Sequence, residues 1–279
     1  MDSKLQRRIQ RYGWVLAATD YEPLWRAQLS AAQTRLLTLA RLAAGERVLD
    51  VACGSGLVSF DAARIVGPSG HVLGVDISGS MIDTARARAK AQRWSNVRFE
   101  RMDAEQLQIP DASCDVALCA LGLMYFPDPA RAVREMRRVV RPGGRIVIAV
   151  WGERTRCGWA SVFPIVDAEV SGDVCPLFFQ FGQRDALVEL CASAGLEGIE
   201  ENRVDAVLDY ADANEACDAA SVGGPVALAW SRFDDDACVR ARANYLQSIE
   251  PFRSGRGYRV PGEFVVVAAE VPEPHRMIR

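Results

Sequence analysis

Residues 48–56, Val-Leu-Asp-Val-Ala-Cys-Gly-Ser-Gly, constrain this chain more than any other stretch. An apolar run carrying a single acid enters two closely spaced glycines, and residues 57–66 then follow a helical pattern. A strand, a glycine turn and a helix form the opening unit of a parallel sheet with crossover helices. Gly54 and Gly56 lack the Cβ atoms that would hold a ligand away from the backbone. In open parallel sheets, ligands bind beyond the C-terminal ends of the strands, beside the strand where the order reverses. This loop is therefore placed to receive a nucleoside-bearing ligand.

The unit recurs along the chain. Residues 71–75, 97–101, 115–120 and 145–150 read as strands two to five, and residues 80–93 and 129–140 as helices between them. Pro142-Gly143-Gly144 is predicted to end the second of those helices. Residues 3–43 read as helix. After Trp151 the rhythm is lost, and it returns as a helix at 184–194, a sixth strand at 199–208 and a final strand at 263–269. Residues 211–250 are mostly helical, and the tail from Val271 reads as loose. The pattern predicts an α/β chain with a helical N-terminal cap over 1–44. A single domain follows over 45–279, with insertions at about 151–183 and 210–255.

Composition removes several classes. A chain of 279 residues with a formal net charge of -3 carries no footprint for a long polyanion. No apolar run approaches the ~18 residues of a membrane span, and residues 1–10 are too polar for a secretory leader. The eight cysteines form no C-x-x-C pair, so neither a disulfide framework nor a metal site is expected, and the cytoplasm is the default location.

Three further signals follow the glycine loop in order. Asp76 ends strand two, twenty-two residues after Gly54, where an acid can accept from both ribose hydroxyls. Asp103 follows strand three, where a carboxylate can accept from an adenine amino group. Pro142-Gly143-Gly144 precedes strand five. The runs VLDVACGSG, GVDIS, RMDAEQLQIPDASCD and RPGGR together resemble the class I S-adenosylmethionine (SAM)-dependent methyltransferases. The likeness is close over about 45–150 and loose over 184–270, and favours the branch with quinone-ring and other small-molecule methyltransferases. It implies a Rossmann-like, doubly wound, seven-stranded sheet whose last strand is antiparallel. It further implies that Asp50, Ala52, Gly54 and Gly56 hold the methionine part of SAM, that Asp76 holds the ribose, and that Asp103 and Ala104 flank the adenine. The chemistry agrees: a carboxylate at Asp50 suits an ammonium group and would repel a pyrophosphate. A dinucleotide loop would also carry Gly or Ala where this chain has Ser59.

Other residues admit two readings. Asp76 is either a ribose ligand or the cap of the following helix, or both. Ile77 and Met81 pack either on the adenine or in the core. Cys119 and Leu123 belong to the strand-four end that lines the cofactor and faces substrate in the family; no basic neighbour would make Cys119 a nucleophile. Tyr125 either bounds the acceptor pocket or staples the next helix. Tyr12, Tyr21 and Trp25 form either a lid or a helix-packing set. Trp151, Trp159, Phe163, Phe178, Phe179, Phe181 and Trp230 are singly best explained as core, yet as a group near the sheet edge some should touch substrate.

The expected reaction is transfer of the SAM methyl to a small-molecule acceptor (an amine, thiol, phenol or activated carbon), releasing S-adenosylhomocysteine. Only two histidines are present: His71 begins strand two, far from the loop, and His275 lies in the tail, so neither is expected as a base. Tyr125 and Glu153 are the remaining candidates to assist. The rivals are a protein or nucleic-acid methyltransferase, a non-catalytic SAM-binding protein, and a metalloid methyltransferase using Cys157 and Cys175. No nucleic-acid partner is expected, and nothing in the residues decides between a monomer and a homodimer.

Overall fold

A computed structural model describes residues 3–170, 175 and 177–273. His275 lies outside the described residues, as does most of the predicted loose tail. The sheet is built from β1 (Arg47–Val51), β2 (His71–Asp76), β3 (Val97–Arg101), β4 (Cys114–Ala120), β5 (Val140–Trp151), β6 (Glu197–Tyr210) and β8 (Gly257–Glu270). Their spatial order is β3-β2-β1-β4-β5-β8-β6, and a two-residue strand β7 (Arg253–Ser254) pairs with β8 alone. Strands β1 to β5 pair in parallel, while β8 runs antiparallel to both β5 and β6. This is the seven-stranded, doubly wound sheet with an antiparallel last strand. The order reverses between β1 and β4, which places a crevice at the C-terminal ends of those strands.

The strands are apolar because both faces are covered. Val116, Ala117, Leu118, Val147, Ile148 and Val265 are fully buried. Helices α3 (Leu57–Val66), α4 (Gly79–Ala91), α5 (Pro129–Val139) and α7 (Ala186–Ser193) follow the local patterns. Asp128 caps α5 by accepting from Arg131 N at 2.9 Å, and Pro129 occupies its first turn, where a missing N–H is harmless. The helix stops at Val139, and Pro142-Gly143-Gly144 lies within the span of β5, beside the register shift between Cys114 and Val116. Beyond β5 come α6 (Val162–Val170) and then, between β6 and β8, α8 (Ala213–Ala220), α9 (Ala227–Trp230) and α10 (Asp235–Ile249).

The largest departure from the sequence pattern is at the N-terminus. The single helix expected over 3–43 is two helices, α1 (Ser3–Trp25) and α2 (Ser30–Ala40). The break has a tertiary cause. The Gln28 side chain donates to Asp209 O at 2.7 Å and accepts from Asp209 N at 2.9 Å, acting as an extra rung on edge strand β6. Trp25 donates its indole N–H to Ala219 O at 3.1 Å. These long-range bonds leave no trace in local periodicity. Among the described residues, no helix is long and apolar enough to cross a membrane.

Candidate functional site

The crevice begins at the turn after β1. Gly54 and Gly56 both hold positive φ, as does Ala52 at 57°, and Leu121 after β4 does the same at 63°. Two of the six non-glycine residues with positive φ among the described residues thus stand one at each side of the strand-order reversal. Gly122 is packed so closely on Ala52 that a side chain there would collide with it. This contact closes the β4 turn against the β1 turn and shapes one cavity, with about 780 Å³ of empty space including its mouth.

Two carboxylates sit beneath this cavity. Asp76 accepts from Gly54 N at 2.9 Å with one oxygen and from Ser78 N at 2.8 Å with the other. It therefore folds the glycine loop onto the end of β2. It does not cap α4, because the cap is Ser78, whose hydroxyl accepts from Met81 N. Asp50 is 1 % exposed and accepts from Ser59 Oγ at 2.5 Å, but its other oxygen, Oδ1, has no partner among the described residues. Burial, with nearby Asp76 adding to it, pushes the Asp50 carboxyl up to about 7 despite the Ser59 bond. Asp76 is raised by burial as well. An unpaired carboxylate oxygen in a dry setting is relieved by taking up a proton or by meeting a cation, and at neutral pH a cation favours the ionised form. The residues thus fit the amino-acid end of SAM, which carries an ammonium group, and do not fit a diphosphate.

The sequence-predicted residues divide cleanly. Ala52, Gly54, Asp76, Ile77, Met81, Asp103 and Ala104 line the cavity. Asp50, Gly56 and Cys119 lie behind its wall. A Cβ on Gly56 would stand 2.8 Å from Phe60 and Phe99, so this glycine makes room for helix–sheet packing. Cys119 is fully buried, and burial holds its thiol up at about 12, so no thiolate forms there. Glu153 borders neither this cavity nor the chamber beyond it; its backbone N–H donates to Glu263 at 2.9 Å and its carboxylate lies 3.9 Å from Arg203. His71 starts β2 at the opposite end of the sheet.

Helix α1 roofs the cavity, and its anchors were not legible beforehand. Arg7 forms ion pairs with Asp103, at 3.1 Å, and with the buried Glu105. Glu22 accepts from Ser55 Oγ at 3.0 Å and pairs with Arg88 of α4 at 3.1 Å. The helix is thereby fastened to the β3 end, the glycine loop and α4. Trp14 and Tyr21 point into the site from this roof: their rings meet edge-on at 5.4 Å, and Trp14 meets Tyr125 at 5.2 Å. Tyr12 faces outward instead, 46 % exposed, with Arg8 and Arg11 over its ring.

Beyond Tyr21 and Leu121 lies a second, narrower chamber, with about 300 Å³ of empty space including its mouth. Trp25, Tyr125, Trp151 and Trp159 line it, and no charged side chain does. Leu123 and Phe163 are buried outside it, although Phe163 backs Trp159 at 5.6 Å. Burial pushes the Tyr125 hydroxyl well above the usual phenol range, with Cys175 and Tyr21 adding to it, so it stays protonated and can donate but not act as a base at neutral pH. Cys157 and Cys175 donate their S–H groups to separate carbonyls, Glu263 O at 3.7 Å and Pro225 O at 3.9 Å.

Residues 42–161 match the family described as "Methyltransferase domain". The demethylmenaquinone methyltransferase of Listeria welshimeri is 36% identical over 127 residues, covering 46% of this chain and 54% of that one. A ubiquinone/menaquinone biosynthesis C-methyltransferase of Hahella chejuensis is 40% identical over 113 residues, 40% of this chain and 45% of that one. The chain thus spans about half the length of the curated relatives it matches. In structure, the YcgJ protein of Bacillus subtilis aligns with a TM-score of 0.63 at 18% identity, over 87% of this chain and 99% of that one, a likeness of fold alone.

Proposed function

We propose that the chain carries a class I SAM-dependent methyltransferase domain and transfers the methyl group of SAM to a small-molecule acceptor held in the aromatic chamber, a reading supported by the family match over 42–161 and the methyltransferase relatives. The observation that carries this reading is the buried Asp50 Oδ1, left without a partner beneath a glycine loop that opens into the cavity. When bound, SAM supplies an activated methyl group, so the chain is asked chiefly to position and to exclude water.

Asp50 pairs with the ammonium of the methionine part. Asp76 meets the ribose while fixing the Gly54 loop. Asp103 and Ala104 flank the adenine, with Ile77 and Met81 against its face, and Arg7 holds Asp103 through an ion pair at 3.1 Å beside the cavity. Trp14 and Tyr21 close the roof over the reacting atoms. Tyr125 holds its proton and donates it in a hydrogen bond rather than removing one. With Tyr125 protonated and the carboxylates engaged by the cofactor, these groups leave no free base, so the acceptor must already be nucleophilic near neutral pH. The narrow, aromatic-walled chamber favours a small molecule over a polymer chain.

Incubating the purified protein with methyl-labelled SAM and a fractionated metabolite extract tests the reading. Label should enter a low-mass product and S-adenosylhomocysteine should accumulate. Label entering protein or nucleic acid instead, or SAM binding with no transfer to any fraction, would overturn it.

A further inference from the structure

Trp159 is 1 % exposed, and its indole nitrogen has no hydrogen-bond partner among the described residues. The contrast with Trp25 is direct. Both tryptophans line the chamber beyond the cofactor cavity, with ring centroids 5.7 Å apart, yet Trp25 donates to Ala219 O and Trp159 donates to nothing. A buried N–H without an acceptor is destabilising, and phenylalanine would fill the same aromatic cluster without that penalty. Four more polar groups border the chamber, the hydroxyls of Tyr21 and Tyr125 and the indole N–H groups of Trp14 and Trp151, and none donates a hydrogen bond among the described residues; of the chamber's indoles without an acceptor, Trp159 has its nitrogen sealed from solvent. The walls are otherwise apolar and uncharged, with Leu29, Leu121 and Pro225 among them.

We infer that the Trp159 indole N–H is a specificity-determining donor, and that the acceptor is an uncharged, largely apolar molecule presenting a carbonyl or hydroxyl oxygen to it. An indole nitrogen only donates, so the ligand must supply the acceptor atom. The absence of a carboxylate on the chamber wall leaves a cationic amine without a counter-charge there. This inference rests on the proposed methyl-transfer reading for the identity of the chamber as the acceptor site. It narrows that reading from any nucleophile to a neutral molecule anchored through an oxygen atom, and leaves the methylated atom to the reading it rests on.

The test uses two probes of equal shape, 1-tetralone and tetralin, which differ by one carbonyl oxygen. Each is titrated by ligand-detected NMR into the full chain saturated with S-adenosylhomocysteine. The wild type should prefer 1-tetralone by about two- to ten-fold. Trp159→Phe should bind both probes equally while keeping its affinity for S-adenosylhomocysteine. In protein labelled with ¹⁵N-tryptophan, one indole N–H resonance should move downfield with 1-tetralone and not with tetralin; this needs no variant. Equal binding of the two probes by the wild type, a preference that survives in Trp159→Phe, or an indole spectrum that ignores the carbonyl would each overturn the inference. The last is the outcome if the N–H is aimed at the face of Phe178, whose ring stands edge-on at 5.6 Å. A protein that fails to take up S-adenosylhomocysteine at all would instead sink the methyl-transfer reading beneath it.

Discussion

Ser59 donates its hydroxyl to Asp50 at 2.5 Å and satisfies only one of the two carboxylate oxygens. The pair joins the first turn of α3 to the end of β1, and leaves Asp50 half-satisfied directly under the glycine loop. Removing the hydroxyl in Ser59→Ala should push the Asp50 carboxyl higher still, because that bond favours the ionised form. The affinity for S-adenosylhomocysteine at neutral pH should then fall by about three- to ten-fold and recover when the titration is repeated about one pH unit higher. Unchanged affinity at both values would separate Ser59 from the site.

The same carboxyl sets a pH dependence. In the ligand-free protein Asp50 sits at about 7, against about 3.9 in an unfolded chain. A folded value above the unfolded one means that the folded protein holds the proton more tightly. Its contribution to stability is therefore full below about pH 4 and is lost as pH rises through about 7. Asp76, also raised, acts in the same direction. Ligand binding needs the ionised form, so the gain in Tm on adding S-adenosylhomocysteine should grow from about pH 5.5 to about pH 7.5. Thermal melts with and without ligand check this, and a gain that shrinks over that range would contradict the assignment.

Two glycines separate crowding from backbone strain. Gly56 and Gly67 both have positive φ, but a Cβ on Gly56 would stand 2.8 Å from two phenylalanines, whereas Gly67 faces open space. Gly67→Ala should lose about 1–3 kcal/mol from strain alone, because its φ of 67° and ψ of -173° lie in a region almost confined to glycine, and Gly56→Ala, in the left-handed region, about 2–5 kcal/mol from strain and overpacking together. Urea denaturation measures both, and equal losses would mean that the Phe60–Phe99 contact yields freely.

Glu22 ties the roof to the glycine loop through Ser55 and to α4 through Arg88. Glu22→Gln should raise the dissociation rate of S-adenosylhomocysteine by about two- to five-fold, the scale of a weakened partly exposed pair, without lowering Tm by more than a few degrees. Glu169→Gln breaks a comparable pair with Arg240 away from the site and should leave the rate alone. Stopped-flow displacement decides between them.

Much of this was legible in the residues because it is local. The VLDVACGSG run announces a strand, a turn and a helix within one stretch, and Asp76 and Asp103 announce themselves by standing at strand ends. Seven of the ten expected cofactor residues line the cavity: Ala52, Gly54, Asp76, Ile77, Met81, Asp103 and Ala104. What stayed hidden depends on contacts between distant segments. Nothing near Arg7 in sequence indicates that it meets Asp103 and Glu105, and nothing near Gln28 indicates that it clamps Asp209 and splits the N-terminal helix. Ser59 was visible only as a departure from a dinucleotide loop; its positive role needs the distance to Asp50. The free indole of Trp159 likewise needs the whole cluster to be assembled before its lack of a partner can be seen.

Calorimetric titration of the purified wild type and of Asp50→Asn with S-adenosylhomocysteine tests the central claim most directly. The wild type should bind one equivalent per chain, and Asp50→Asn should fold normally and bind about ten- to a hundred-fold more weakly, the loss expected for a charge-assisted hydrogen bond. Equal affinity of the two proteins, or uptake of a dinucleotide in place of S-adenosylhomocysteine, would contradict the claim that an ammonium group docks on this buried carboxylate.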